Sequence, residues 1–330
     1  MKLKLSILDQ SPVIKGGTAA LALRNSLELA RMADESGYHS ILYSEHHGVG
    51  AYGSSSPELL TAIVLAETKR IKAGTGGIML RNYSAFKIAE WAKMLATMFP
   101  DRFILGLGKA PGGLKDAVVA LNNNKPPVLN DLNKKLEEII AYITGQNPVY
   151  EDLVAQPEKP LILPEILWLG SGVGSAKEAA AKGVGYSMAG FISDNVGEDA
   201  YNMYHEEFNN NGYTDKSVFQ VALSVSVAAD TEQARKNAYG MVYQFVQSRK
   251  LLAPDKLMPY AEVEALVAGS DDESLFYSLL DKVVVGTPDT ILSQLEEKAI
   301  LYKTKDLMLL CNMFNEEDRM FTYKSIIENF

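Results

Sequence analysis

The feature that most restricts the fold of this chain is a regular alternation of short apolar segments with longer amphipathic ones. Residues 3–8 read as a strand, after which Leu23, Leu27, Ala30 and Ala33 recur at helical spacing until Gly37 stops them. Further strands are expected at 40–45, 71–77, 103–108, 166–170, 185–189, 219–228 and 306–311, with a short one at 283–286. Between them, Ser56-Pro57-Glu58 spells a helix start with N-cap, proline at the first position and an acid at the positive end. Ala85, Ile88, Ala89, Ala92, Leu95, Ala96 and Phe99 trace another helical face that Pro100 ends.

Strands that alternate with helices imply a parallel sheet, because each parallel return needs a crossover. About eight such units suggest closure into a (β/α)₈ TIM barrel. The pattern loosens over 109–164 and 250–282, so insertions are expected after strand 4 and after strand 7. No linker-like stretch interrupts the chain, and 1–330 reads as a single barrel domain.

Composition narrows the function. A net charge of −9 and a pI of about 5.1 disfavour nucleic acid or an anionic membrane as partner. One cysteine, Cys311, allows no internal disulfide, and four histidines make a metal cluster hard to build, so no metal is expected. Residues 1–9 are too short and too polar for a secretory signal, no segment approaches the ~20 apolar residues of a membrane span, and a cytoplasmic protein is expected.

In such a barrel, chemistry gathers where strands end. The second strand ends in Ser44-Glu45-His46-His47, where an imidazole could do acid–base work near neutrality or simply hold a loop. Adjacent side chains on a strand point to opposite faces, which argues against a paired metal site. The third strand ends in Gly74-Thr75-Gly76-Gly77, marking close approach of backbone or ligand. The fourth ends in Gly108 and the cation Lys109. After the fifth, Gly170-Ser171-Gly172-Val173-Gly174-Ser175 opens directly into a helix, a ready anion site of N–H groups, hydroxyls and dipole. Gly170, Gly172 and Ser175, with Asp194 downstream, approach a dinucleotide fingerprint, but the serine and the mid-barrel position favour a mononucleotide phosphate.

Together these segments resemble the bacterial luciferase-like monooxygenases, in particular their single-barrel oxidoreductases. The resemblance runs nearly end to end, through Ser6-Ile7-Leu8-Asp9-Gln10-Ser11-Pro12-Val13, Glu45-His46-His47-Gly48, Ser54-Ser55-Ser56-Pro57-Glu58, Gly76-Gly77-Ile78-Met79-Leu80, Asp101-Arg102-Phe103, Leu169-Gly170-Ser171, Thr287-Pro288 and Asp306-Leu307-Met308. It implies a barrel, often dimeric, that takes reduced FMN as co-substrate from a separate flavin reductase and uses it with O₂ on a small organic substrate. Coenzyme F420 serves some branches and is the less favoured cofactor. Carried over by position, Ser171, Gly172, Ser175 and Lys109 would hold the flavin phosphate, with Gly174 in the same turn, and His46 would be the catalytic histidine. Gly76-Gly77 falls where relatives bend the backbone under the flavin ring, often through a non-prolyl cis peptide.

The chain also departs from these relatives. Gly108 stands where luciferase has a reactive cysteine, Arg81 and Ala85 where relatives favour proline, and Lys109 where arginine is common. Residues 189–193 lack a histidine found in many of them. The resemblance therefore implies a monooxygenase, with hydride transfer to flavin or F420 without oxygen, or flavin binding without turnover, as the alternatives. Residues 250–282 fall where luciferase relatives carry a mobile lid, with a packed helical insertion as the other reading.

Overall fold

Expected strands such as 3–8, 40–45 and 306–311 carry aliphatic residues on both faces, as a stave buried on both sides requires. A computed structural model describes residues 2–125, 132–146, 150–193 and 197–330. Eight parallel staves form in chain order: β1 (Lys4–Asp9), β2 (Ser40–Tyr43), β3 (Lys72–Thr75), β4 (Phe103–Gly108), β5 (Glu165–Gly170), β6 (Gly185–Ala189), β7 (Phe219–Val227) and β8 (Asp306–Leu310). Each pairs with the next, and β8 pairs with β1 through Lys4↔Asp306 to Leu8↔Leu310. The sheet is closed, a (β/α)₈ barrel with helices between the staves.

Two expected strands differ in detail. The third stops at Thr75; a cis peptide joins Gly76 to Gly77, and Ile78–Met79 then pairs with the end of β4. Val284–Gly286 pairs only with Val225–Val227, the outer half of β7, and is not a stave. The helix after β6 runs over Gly197–Glu206. Within the first insertion a helix runs over Leu132–Thr144, and Asp194, the acid downstream of the glycine-rich turn, lies outside the described residues.

Two apolar clusters organise the molecule. The larger lies between staves and helices, around Ile7, Ile41, Leu105, Trp168, Tyr186, Val221 and Leu309. The smaller fills the barrel with Leu8, Leu42, Ile104, Leu167, Ala222, Met308 and Leu310, and continues upward into Val242, Phe245, Val263, Val267, Phe276 and Leu280. Those last residues belong to the helix Tyr239–Arg249, which is buried nearly all round, and to the insertion helices Tyr260–Val267 and Glu273–Leu280, which bury one apolar side each. Over 250–282 the chain thus forms two packed helices joined by turns, since the apolar positions hidden among polar ones share one face of each helix.

The first and last units are locked by a fully buried ion pair. Arg319, on the final helix Glu316–Glu328, donates from Nη2 to Asp9 Oδ1 (2.7 Å) and from Nε to the Cys311 carbonyl (2.9 Å). Asp9 Oδ1 also accepts the Ser11 N–H (2.9 Å), which fixes Ser11 in a left-handed conformation (φ 48°). Removing one partner of a buried pair leaves an uncompensated charge. Arg319→Met is therefore expected to lower unfolding free energy by about 3–5 kcal/mol in denaturant titration. A loss below about 1 kcal/mol, the scale of an exposed pair, would contradict this role.

Candidate active site

The staves aim alternate side chains into the barrel, and register identifies which. Leu8, Leu42 and Leu310 face inward, so Gln10, Ser44 and Asn312, two residues further on, form the next layer up. Asn312 Nδ2 donates to Gln10 Oε1 (2.6 Å), joining β1 to β8 across the mouth. Ser224, in register with Leu310, lies in the layer just below. The Ser224 hydroxyl and Asn312 Oδ1 are buried without a hydrogen-bond partner. Two unpaired polar atoms lining one mouth fit a ligand with a hydrogen-bonding edge.

His46 stands above Ser44 on the same side. Its Nδ1 lies 3.1 Å from the Ser44 hydroxyl, and its ring stacks on Tyr52 with centroids 4.0 Å apart. Burial, with a smaller effect from neighbouring His47, lowers its pKa from 6.5 to about 4. His46 is thus neutral near pH 7, and among the described residues Nε2 has no hydrogen-bond partner. His47 turns the other way: its Nε2 lies 2.8 Å from Glu45 Oε1, and the buried Glu45 also accepts from the Met79 N–H (2.9 Å) and Asn82 Nδ2 (3.0 Å). The two histidines are separated by strand alternation, one at the mouth and one holding the loop after β3.

The Gly76–Gly77 step fills the floor of the mouth. A Cβ on Gly76 would meet Leu8 Cδ1 at 2.8 Å, and one on Gly77 the Gly106 carbonyl at 2.7 Å. Glycine is required there by the staves themselves.

The turn after β5 behaves differently. Gly172 precedes the helix Val173–Lys182, and a Cβ on Gly172 or Gly174 would meet nothing within 4 Å. Gly172 offers no side chain to cap the helix, so among the described residues the first-turn N–H groups at Val173, Gly174 and Ser175 have no side-chain cap. Tyr186 donates its hydroxyl to the Gly172 carbonyl (3.0 Å) and Ser193 to the Ser171 carbonyl (2.7 Å), holding the turn from behind.

Lys109 follows β4, whose Gly108 is in register with Leu169, so it lies beside the start of this turn. Its ammonium is paired with Glu178 Oε2 and sits 5.6 Å from the centroid of the Trp168 ring. Trp168 Nε1 donates to the same Glu178 oxygen (3.0 Å), and Asn133 Nδ2 to the other (3.4 Å). Burial raises the Glu178 pKa, but the Lys109 and Trp168 hydrogen bonds outweigh it and leave it below the usual range. Arg81 Nε donates to the Lys109 carbonyl (2.8 Å), so the residue standing where relatives favour proline supports the strand end.

The structure sets Lys109 against Glu178 and Trp168, at the stave end next to the one from which the 171–175 turn springs, with His46 and Gly76-Gly77 at the mouth of the same barrel. Sequence reasoning missed Glu178, Trp168, Tyr52, Asn312 and Ser224. Their roles depend on register and on contacts between distant segments; only Glu178, near the glycine-rich turn, offered a local hint.

Among the described residues no helix is long and apolar enough to cross a membrane. The luciferase-like monooxygenase family model matches residues 1–302. An uncharacterised protein of Bacillus subtilis (strain 168), YceB, is 32% identical over 329 residues, covering 99% of each chain. The N-acetyl-S-alkylcysteine monooxygenase of the same organism is 28% identical over 330 residues, covering 98% of this chain and 96% of that one. The crystal structure of apo-MsnO8 superposes with a TM-score of 0.89 at 29% identity, covering 99% and 98% of the two chains.

The neutral histidine gives a test of the geometry. An unfolded chain protonates His46 near pH 6.5, whereas the folded one holds it neutral to about 4, so the unfolded state binds more protons between those values. Its contribution to stability is therefore greatest above pH 6.5 and falls as pH drops toward 4. Imidazole ¹⁵N shifts of His46 should keep their neutral-form values from pH 8 to 5; a midpoint near 6.5 would place the ring in solvent.

Proposed function

We infer that this chain, which belongs to the luciferase-like monooxygenase family, is an FMN-dependent monooxygenase that takes reduced FMN as co-substrate and oxygenates a small organic molecule with O₂. The observation that carries this reading is the pairing of an open, uncapped helix start with a neutral, half-buried histidine at the same barrel mouth. A phosphate fits the first, and a ring that exchanges protons fits beside the second. The orphaned Ser224 and Asn312 oxygens support a polar ring edge between them. The similar N-acetyl-S-alkylcysteine monooxygenase supports oxygen chemistry.

When bound, the flavin supplies the electrons and the centre at which O₂ is activated. The protein's part is positioning, water exclusion and proton handling. The N–H groups of Val173, Gly174 and Ser175 and the hydroxyls of Ser171 and Ser175 would hold the phosphate, with Lys109 alongside, and the side-chain-free Gly76-Gly77 step would leave room for the ring at the barrel floor. His46 gives or takes a proton at Nε2, with Ser44 fixing the ring through Nδ1 and Tyr52 shielding its face. Phe191 and Phe245, stacked with centroids 5.7 Å apart, put an apolar wall between the loop after β6 and the insertion helix Tyr239–Arg249, which keeps water from that side.

A separate reductase supplies reduced flavin in this reading, and the chain pairs as a homodimer. The support for pairing is an apolar stripe on two successive helices: Leu59 (62% exposed) and Ile63 (45%) on Pro57–Glu67, Met94 (52%) and Met98 (60%) on Ala85–Met98. Such a stripe on a surface helix fits burial against a second copy.

Mixing the protein with anaerobically reduced FMN and then O₂ tests the assignment. The parent should change the rate at which oxidised-flavin absorbance returns relative to free FMN. His46→Ala should shift that rate by about 10²-fold, the lower end of acid–base contributions, while FMN affinity stays near the parent's. A parent trace that overlays free FMN, or a variant that overlays the parent, would contradict it. Reoxidation by an organic acceptor with no O₂ uptake would replace the oxygenase with a hydride-transfer enzyme.

A further inference from the structure

We propose that Glu178 is a specificity-determining counter-charge that holds Lys109 neutralised beside the 171–175 turn, so that the site binds a phosphorylated flavin for exchange rather than retention. The inference rests on the flavin reading above and goes beyond it, because Glu178 makes no contact with the cofactor in that reading.

The geometry points to competition. Glu178 follows Gly174 by four residues and Ser175 by three, so it shares their face of the helix one turn below the N–H donors. Lys109 comes to it from the neighbouring stave. A phosphate monoester carries about −1.5 to −2 charge at neutral pH. The helix start offers roughly +0.5. Lys109 alone would add a full positive charge, but the carboxylate beside it cancels that charge at longer range.

Glu178 cannot easily withdraw. Its Oε2 is held by the indole N–H of Trp168, a fully buried and immobile ring, and its Oε1 by Asn133. Lys109 is the less tethered partner: Glu178 is held by Trp168 and Asn133 as well, whereas the Lys109 ammonium has the Glu178 carboxylate and the face of the Trp168 ring. An arriving phosphate must therefore share the ammonium with a fixed carboxylate, or bind on the turn alone. Both reduce the advantage of a phosphorylated flavin over an unphosphorylated one. A reduced flavin delivered by another protein and released after oxidation needs such a balance, since a tight site would hold the spent form.

Glu178→Gln keeps an acceptor for Trp168 and removes only the charge. Anaerobic titration with reduced FMN and reduced riboflavin, on parent and variant, reads the effect. FMN should tighten about three- to tenfold, one charge-assisted contact on a partly exposed group, and riboflavin should stay within about twofold, less than half a kcal/mol. Glu178→Asp, which retracts the carboxylate by one methylene, should move FMN the same way by less. In a Lys109→Met background the Glu178→Gln gain should shrink, because the charge it frees is absent. Unchanged or weaker FMN binding by both Glu178 variants, with the parent binding FMN saturably, would overturn the counter-charge and leave the flavin reading standing. Failure of the parent to bind either flavin would overturn both.

Discussion

The closed barrel depends on how its first and last units meet, and that junction is the Asp9–Arg319 pair. Arg319 reaches from the final helix to Asp9 at the end of β1 and to the Cys311 carbonyl just past β8. One guanidinium thus fixes the two strand ends that parallel pairing of Lys4–Asp9 with Asp306–Leu310 brings side by side. Burying both charges is costly, and hydrogen bonds to the Ser11 N–H and the Cys311 carbonyl offset part of that cost. What the junction provides is register. With Leu8 opposite Leu310, Gln10 must stand opposite Asn312, and their 2.6 Å contact builds one wall of the mouth.

Above that layer the same few residues produce two electrostatic environments. His46 faces the mouth, is desolvated and remains neutral, while its neighbour His47 is committed to the buried Glu45 carboxylate. Glu45 in turn holds the Met79 N–H and Asn82, so the loop that follows Gly76-Gly77 is anchored without using the mouth-facing ring. On the far side Glu178 pairs with Lys109 beside the glycine-rich turn after β5. Each of these charged groups is thus matched by a partner of the chain itself, which suits the flavin proposed for this mouth.

The barrel was readable because its signal is local and repeated: apolar runs, helix starts and terminal glycines each mark a unit. The insertions were readable only as breaks in that repeat. Residues 250–282 looked polar because their buried positions, Val263, Val267, Phe276, Leu279 and Leu280, are spread at helical spacing among charged ones. Strand-end motifs led to His46, Gly76, Gly77, Lys109 and the 171–175 turn. They did not show that Asp9 is a junction rather than a site residue, since its partner lies 310 positions away. Nor could they show that Lys109 is already paired, because Glu178 meets it only across two staves.

The central claim is that a flavin sits in this mouth with its phosphate on the helix start after β5. Backbone amide shifts of Val173, Gly174 and Ser175 in an isotope-labelled sample test it most directly. Adding FMN should move all three resonances, whereas riboflavin, which lacks the phosphate, should leave them in place while both ligands perturb Gly76, Gly77 and His46. Movement of the helix-start amides by both flavins alike, or by neither while FMN binds elsewhere, would contradict the account.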